Sequence, residues 1–523
     1  MFFSSFALFL ASAAVAKAQA KTFAANSTSV VSLAPVATSV PTGVVDWRTA
    51  NCSGVVVDAK ALPDKRWEAA GATDALHEVI AAWRNYTTNP DEVEFEFSEF
   101  VSWFFGGPEH WRCSEIFDVP CSTTLVCEDT KYPAGHLILN SFSKLHLFQN
   151  RYFQALNLAQ QDIQAEMELF AESFSVPPPP DPKKDQTKRI LLNVAYGVIG
   201  IAQAYMNNFF IFGASAQAAE TTAKTLSQVW RSQLTSTFSY SVFTGWAVGK
   251  DYLLPQGDDS KPAYGPIGAL MGDVFDSWKE AQTAYVKHIF SPNDTDTENF
   301  LIAALDNGFL GATPDDVNTY DISAMIQKLF YPRFMVSIWQ TRPWAKRPFV
   351  LKTNLACNMD AGQRDSSLWP FLPDEDHPKA AVCYNDRLFY LLDIRSKGVK
   401  LSTDFPSIRA DVMKSKHWPL TTLFGAETMD GTRWGGVTKE DIVAAAYGGY
   451  VAGGYMNNVF HPNYTDVSPQ SPVWSGLGNR SPGYVDMNLC QNLYTIVGNV
   501  VHGDPRNHTA WPCAPLNEIL PLQ

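Results

Sequence analysis

The sequence predicts a mainly α-helical protein: a multi-helix bundle built around one long helix, followed by a smaller disulfide-pinned α+β region. Three observations carry that prediction. Apolar residues recur at helical spacing over most of 46–340, and one stripe of them is unusually long. Near Arg342-Pro343 the composition then shifts toward Pro, Gly and Asn, with short β-like runs and half of the cysteines.

Phe2 to Val15 is an almost purely apolar run, and Ala18-Gln19-Ala20 supplies the small-x-small pattern that precedes signal cleavage. The run is too short to span a bilayer, so residues 1–20 read as a secretion signal. Residues 21–45 are rich in Ser, Thr, Val and Pro with little charge and read as an extended linker. A helical domain is expected over 46–340, with folded chain starting near Asp46-Trp47, and a disulfide-containing α+β region over 341–523.

The strongest element begins after Pro133-Ala134-Gly135. Ile138, Phe142, Leu145, Tyr152, Leu156, Ala159, Ile163, Met167, Phe170 and Phe174 mostly follow steps of three and four, which puts them on one helical stripe. At 1.5 Å per residue this helix would run about 55–60 Å. The prolines Pro177 to Pro180 end it. From Ile190 to Ala219 there is no charged residue. Further helices are expected across Leu226–Trp246, Met271–Ile289 and Ile322–Trp339. In the last third, Phe349-Val350-Leu351 and Leu388 to Leu392 read as strands. Thr438-Lys439-Glu440-Asp441 opens an apolar stretch, Ile442 to Phe460, with a helix-start signal. Tyr205-Met206-Asn207-Asn208 recurs as Tyr455-Met456-Asn457-Asn458, a recurrence too short to define a repeat.

The eight cysteines are Cys52, Cys113, Cys121, Cys127, Cys357, Cys383, Cys490 and Cys513. An even set behind an export signal reads as disulfides rather than metal ligands. Local pairing keeps each bridge within its own region and selects Cys52–Cys127, Cys113–Cys121, Cys357–Cys383 and Cys490–Cys513; spacing alone leaves other connectivities open. Asn26, Asn51, Asn85, Asn293, Asn463 and Asn507 stand in N-x-S/T sequons and are expected to carry glycans. Asn479-Arg480-Ser481 is followed by Pro482, which disfavours its use. Disulfides, glycans and leader together place the chain outside the cell.

The net charge is −13 with the basic residues scattered, which argues against nucleic acid as a partner. There is no G-x-S-x-G elbow and no P-loop, and His77-Glu78 is followed by Ala81 where a zinc-protease helix needs histidine. Asp294-x-Asp296-x-Glu298 matches the acidic run of some glycosidases, but no strand precedes it, and its carboxylates suit the N-terminal dipole of a helix over Phe300 to Leu305. Asp374-Glu375-Asp376-His377 offers hard-cation ligands between two prolines and reads as a solvated loop tip. His136 and His146 lie on the long helix without i, i+4 spacing, as surface or core residues. No cofactor is implied, and whether the chain is an enzyme stays open.

Ile190–Phe212 is long enough to cross a membrane, and Gly197, Gly200 and Ala204 would permit close helix approach. Against membrane insertion stand Asn193, Gln203, Asn207 and Asn208, which suit a helix buried on all sides of a bundle. Ile190, Gly197, Gly200, Ala204, Phe209 and Phe212 are the residues that would meet a membrane.

Cys121-Ser122-Thr123-Thr124-Leu125-Val126-Cys127, Tyr132-Pro133-Ala134-Gly135 and Leu137 to Phe142 resemble a segment of fungal secreted proteins. That segment lies beyond the catalytic domain in killer-toxin-like fungal chitinases. The likeness covers the central helical region and brings no catalytic residue with it. It implies a fungal extracellular protein of toxin-associated type, in contact with a cell surface or membrane. A secreted hydrolase acting on cell-wall polysaccharide and a structural wall or matrix glycoprotein are the alternatives.

Overall fold

The computed structural model describes residues 45–87, 95–117, 121, 124–174, 265–292, 294–308, 310–311, 318–341, 348–357, 368, 371–394, 420–460, 478–493, 495–496 and 512–513. Elements are numbered over these residues. Helices α1 (Pro63–Ala69), α2 (Ala72–Tyr86) and α3 (Phe97–Phe104) precede the long α4 (Pro133–Ser173), and α5 (Gly265–Ile289), α6 (Thr295–Leu305) and α7 (Thr319–Thr341) follow it. Then come β1 (Phe349–Ala356), the one-turn α8 (His377–Ala380), β2 (Ala381–Tyr384), β3 (Arg387–Ile394), β4 (Leu420–Thr422), α9 (Lys439–Ala452) and β5 (Asn488–Cys490). Helix dominates the described residues, and the secondary-structure class expected from the sequence is the one observed.

Helix α4 is 41 residues long and opens on Pro133 at its first position, where the missing N–H costs nothing. Every member of the predicted stripe, from Ile138 to Phe174, is buried. The helix is a spine: α2, α3, α5 and α7 all pack along it. Its start lies so close to α3 that a Cβ on Gly135 would sit 2.3 Å from the Cβ of Phe105, which excludes any side chain there.

The other end of the spine is closed by aromatic rings. Phe170 stacks on Phe174 and Phe334 with centroids 4.4 and 4.9 Å apart, and the Trp434 indole meets Phe170 edge-on at 5.2 Å. Trp434 is fully buried, and its Nε1–H donates to Thr428 Oγ1 at 3.0 Å. It adopts a left-handed backbone (φ 55°), as does Gly435 after it (φ 64°), and a Cβ on Gly435 would lie 2.8 Å from the backbone of Gln327. The turn thus depends on glycine at 435 to press Trp434 against α7.

The sheet has the order β2-β3-β1-β5, with β4 also pairing β3; β1 and β5 are parallel and the other pairs antiparallel. Alternate residues serve two cores. Val350, Val382, Phe389, Leu391 and Leu489 join the helical core, whereas Phe349, Leu351, Leu388, Tyr390 and Leu392 build a second cluster with Phe371, Leu372 and Leu420. That explains the unbroken apolar run of β3: a strand covered on both faces has no polar side to show.

The four disulfides are Cys52–Cys127, Cys113–Cys121, Cys357–Cys383 and Cys490–Cys513, the pairs that local closure selects. The Asp294–Glu298 run is structural. The helix starts earlier than expected, at Thr295; Asp294 caps it by accepting from Thr297 N at 2.9 Å, and buried Glu298 forms a two-point ion pair with Arg84 of α2.

Two stability measurements follow from buried charge. The Arg84 side chain is half exposed while Glu298 is not, so removing the cation strands a carboxylate, whereas neutralising the acid leaves a guanidinium that water can reach. Chemical denaturation of Arg84→Ala should therefore show a loss of about 3 kcal/mol and of Glu298→Gln only about 1 kcal/mol. His136, near the start of α4, is buried, and its Nδ1 has no hydrogen-bond partner among the described residues. Desolvation, helped by Arg66, pushes its imidazole from 6.5 down to about 4. The unfolded chain takes up this proton first, so the stabilisation is complete above pH 6.5 and is lost as pH falls toward about 4. The loss amounts to up to about 3 kcal/mol. Denaturation midpoints across that range should fall less steeply in His136→Leu than in the parent.

Candidate functional site

A cleft of about 310 Å³ opens between α7, α9 and the two turns at 453–460 and 483–487. Its helical walls are Arg333, Val336, Ser337 and Gln340 on one side and Ala446, Gly449 and Tyr450 on the other. The wall from α9 is held by a capping box, in which Thr438 Oγ1 accepts from Asp441 N and the Asp441 carboxylate accepts from Thr438 N. Arg480 Nε donates to Asp441 Oδ1 at 2.5 Å and its Nη1 to Glu440 at 3.2 Å, which fixes the following turn to the helix start. Close approach at Gly449, where a Cβ would sit 2.8 Å from Gly483 N, lets that turn lie flat against α9.

The floor is polar and organised. Arg333 Nε donates to Tyr484 O at 3.1 Å while its guanidinium lies over the Tyr484 ring at 4.8 Å. Gln340 Nε2 donates to Asp486 O, and the Tyr484 hydroxyl donates to Leu329 O. The rim is a turn pinned by side-chain amides. Asn457 Nδ2 donates to Leu489 O at 3.0 Å and its Oδ1 accepts from Leu489 N at 2.7 Å, so one carboxamide serves both backbone groups of Leu489 in β5. Asn458 Nδ2 donates to Asn488 Oδ1 at 2.9 Å. β5 ends the strand order, and Asn457 covers backbone groups that an edge strand otherwise exposes.

The pinned turn presents Tyr455, Met456 and Val459 to solvent, each more than half exposed. Tyr455 is held at φ 66°, a region that a bulky L-residue enters only when its surroundings enforce it. Tyr450 packs edge-on against it at 5.9 Å. Burial, and then the neighbouring Tyr447 and Tyr455, push the Tyr450 phenol up from its ordinary value. The cleft thus combines aromatic surface with carboxamides, a guanidinium and hydroxyls. Asp486 is the one carboxylate among the described residues that line it.

The other residues singled out in the sequence fall elsewhere. Asn51 and Asn85 are exposed, as glycan acceptors must be, while Asn479 is buried. Asn26, Asn293, Asn463 and Asn507 lie outside the described residues, as do Ile190, Gly197, Gly200, Ala204, Phe209 and Phe212 and the stretch Leu226–Trp246. Among the described residues no helix is long and apolar enough to cross a membrane. Asp374 and Glu375 are exposed, but Asp376 and His377 are not the solvated tip expected. Asp376 is buried because it accepts from Thr421 Oγ1 at 3.0 Å and Thr422 N at 3.3 Å, tying α8 to β4. No cluster of metal-ligating side chains exists among the described residues. His136 and His146 are both core residues.

No family model matches the chain, and no solved structure matches it. Two proteins of Penicillium expansum are similar to it. "Probable chitinase LysM18" is 24% identical over 91% of the chain and 34% of its own length; "Secreted chitinase LysM12" is 22% identical over 82% of the chain and 29% of its own length. The chain thus spans about a third of the length of these curated relatives. The resemblance to chitinase-like fungal proteins extends over most of the chain, well beyond the central segment that first showed it.

Asn457 gives a direct check on the rim. In Asn457→Asp the carboxylate has no proton for Leu489 O, so denaturant titration should show a loss of about 1–3 kcal/mol. Chymotrypsin should also cut after Tyr455 or Phe460 sooner than in the parent.

Proposed function

We propose that the chain is a non-catalytic, glycosylated module of the fungal cell exterior that binds cell-wall polysaccharide in the cleft between α7 and α9, with its helices arranged as a multi-helix bundle. The observation that carries this reading is the cleft's composition. Saccharides offer apolar C–H faces and rows of hydroxyls. The Tyr450 ring and, at the rim, the Tyr455 ring match the first, and the side-chain carbonyl of Gln340 and the Asp486 carboxylate can accept from the second. The names of the two similar proteins associate them with chitin chemistry and one with secretion, and four disulfides suit an oxidising exterior. Glycosidases need two carboxyl groups about 5–10 Å apart, a requirement that Asp486 alone does not meet in the described lining. The cell surface is thus the partner, reached through the wall.

Retention on insoluble chitin and β-glucan tests the reading. The secreted protein should stay bound, Tyr450→Ala and Gln340→Ala should bind about tenfold more weakly, and no reducing sugar should be released. Release of soluble sugar would turn the reading toward a hydrolase. Failure to bind either polymer would remove it.

A further inference from the structure

Resting on that reading, we propose that the saccharide site extends beyond the cleft along a ribbon of tyrosines and takes an extended, uncharged polysaccharide chain rather than a single sugar or a chain end. The ribbon starts at the exposed Tyr455 and passes to Tyr450 at 5.9 Å. Tyr447 stands three residues before Tyr450 on α9 and so shares its side of the helix. Tyr384, at the end of β2, follows at 6.1 Å from Tyr447. Lys352 sets its ammonium over the Tyr447 ring at 5.1 Å.

Tyr384, Tyr447 and Tyr450 are half-buried and packed against the main core. Residues placed only to fill a core gain nothing from phenol hydroxyls, which must then find partners; on the protein's surface they offer a row of donors and acceptors. Rings anchored on one side by the core also lose little freedom when a ligand covers the other, so several weak stacking contacts can add without a large ordering cost. The charge pattern selects an uncharged chain. The protein carries −13 overall, and Arg480, the cation beside Tyr384, is already paired with Glu440 and Asp441. An acidic polysaccharide would be repelled by the overall charge, and the cations along the ribbon, Arg480 in its ion pairs and Lys352 over the Tyr447 ring, offer it little in return. A proline-rich peptide can also lie on tyrosine rows, but it brings no rows of hydroxyls to the Gln340 carbonyl and the Asp486 carboxylate in the adjoining cleft.

Calorimetric titration of the full chain with the disaccharide and hexasaccharide of chitin and of β-1,3-glucan tests the ribbon. For the preferred polymer the hexasaccharide should bind at least about tenfold more tightly than the disaccharide. Tyr384→Ala and Tyr447→Ala should erase that advantage and leave disaccharide affinity within about twofold. Gln340→Ala in the cleft should weaken both ligands alike. Tyr455→Ala, at an exposed position, should lower hexasaccharide affinity from the other end. Equal affinity for the two lengths in the parent, or a length advantage that survives in the variants, overturns the ribbon while leaving the cleft. If neither length binds, or if a polyproline peptide binds in their place, the ribbon fails together with the reading on which it rests.

Discussion

The meeting of aromatic rings at the end of α4 is the contact on which the arrangement depends. Phe170 and Phe174 come from the spine, Tyr331, Phe334 and Trp339 from α7, and Trp434 from the turn ahead of α9. Rings of this size bury large areas in stacked and edge-on geometries. Trp339 also donates to Phe424 O at 2.9 Å, which fastens α7 to the segment after β4. One wall of the cleft lies on α7 itself, and the other on α9, which follows the Trp434 turn. Arg333 follows Tyr331 by two positions and Gln340 follows Trp339 by one, so the rings that close the core also set the spacing of the cleft.

A second constraint acts through the sheet. Its strand β3 has no solvent face, and one side of the sheet merges with the helical core. β5 occupies the end of the strand order, where its outer backbone groups would be open. The Asn457 carboxamide fills that place, and in doing so it sets the Tyr455–Met456 turn at the mouth of the cleft. Sheet closure and site presentation are one act here. The left-handed backbone of Tyr455 is tolerated because Asn457, Asn458 and the Tyr455 N–H to Tyr450 O bond fix the turn from several sides.

Periodicity made the framework legible. The stripe from Ile138 to Phe174 named the spine, the Thr438-to-Asp441 pattern named the start of α9, and local closure of cysteines selected the disulfides. The site was much less visible. Tyr455-Met456-Asn457-Asn458 was noticed only as a repeated tetrapeptide, because a side chain that replaces a neighbouring strand leaves no periodic trace. The preceding Gly453-Gly454 was the available clue to a turn, but nothing local points from Asn457 to Leu489. Asp376 failed for the same reason. A charge run between prolines looks solvated until the chain returns with Thr421 and Thr422 to satisfy it. The uncharged stretch from Ile190 onward lies outside the described residues, and its role rests on composition alone.

The late position of Trp434 bears on biosynthesis. The ribosome delivers α4 long before the turn that covers its aromatic end, so Phe170 and Phe174 leave the exit tunnel with their final neighbour still untranslated. Non-local contacts of this kind form slowly and leave sticky surface uncovered in the interim. The nascent polypeptide should therefore lean on chaperones until its last third arrives, and truncations ending before Trp434 should aggregate rather than accumulate as a folded helical fragment.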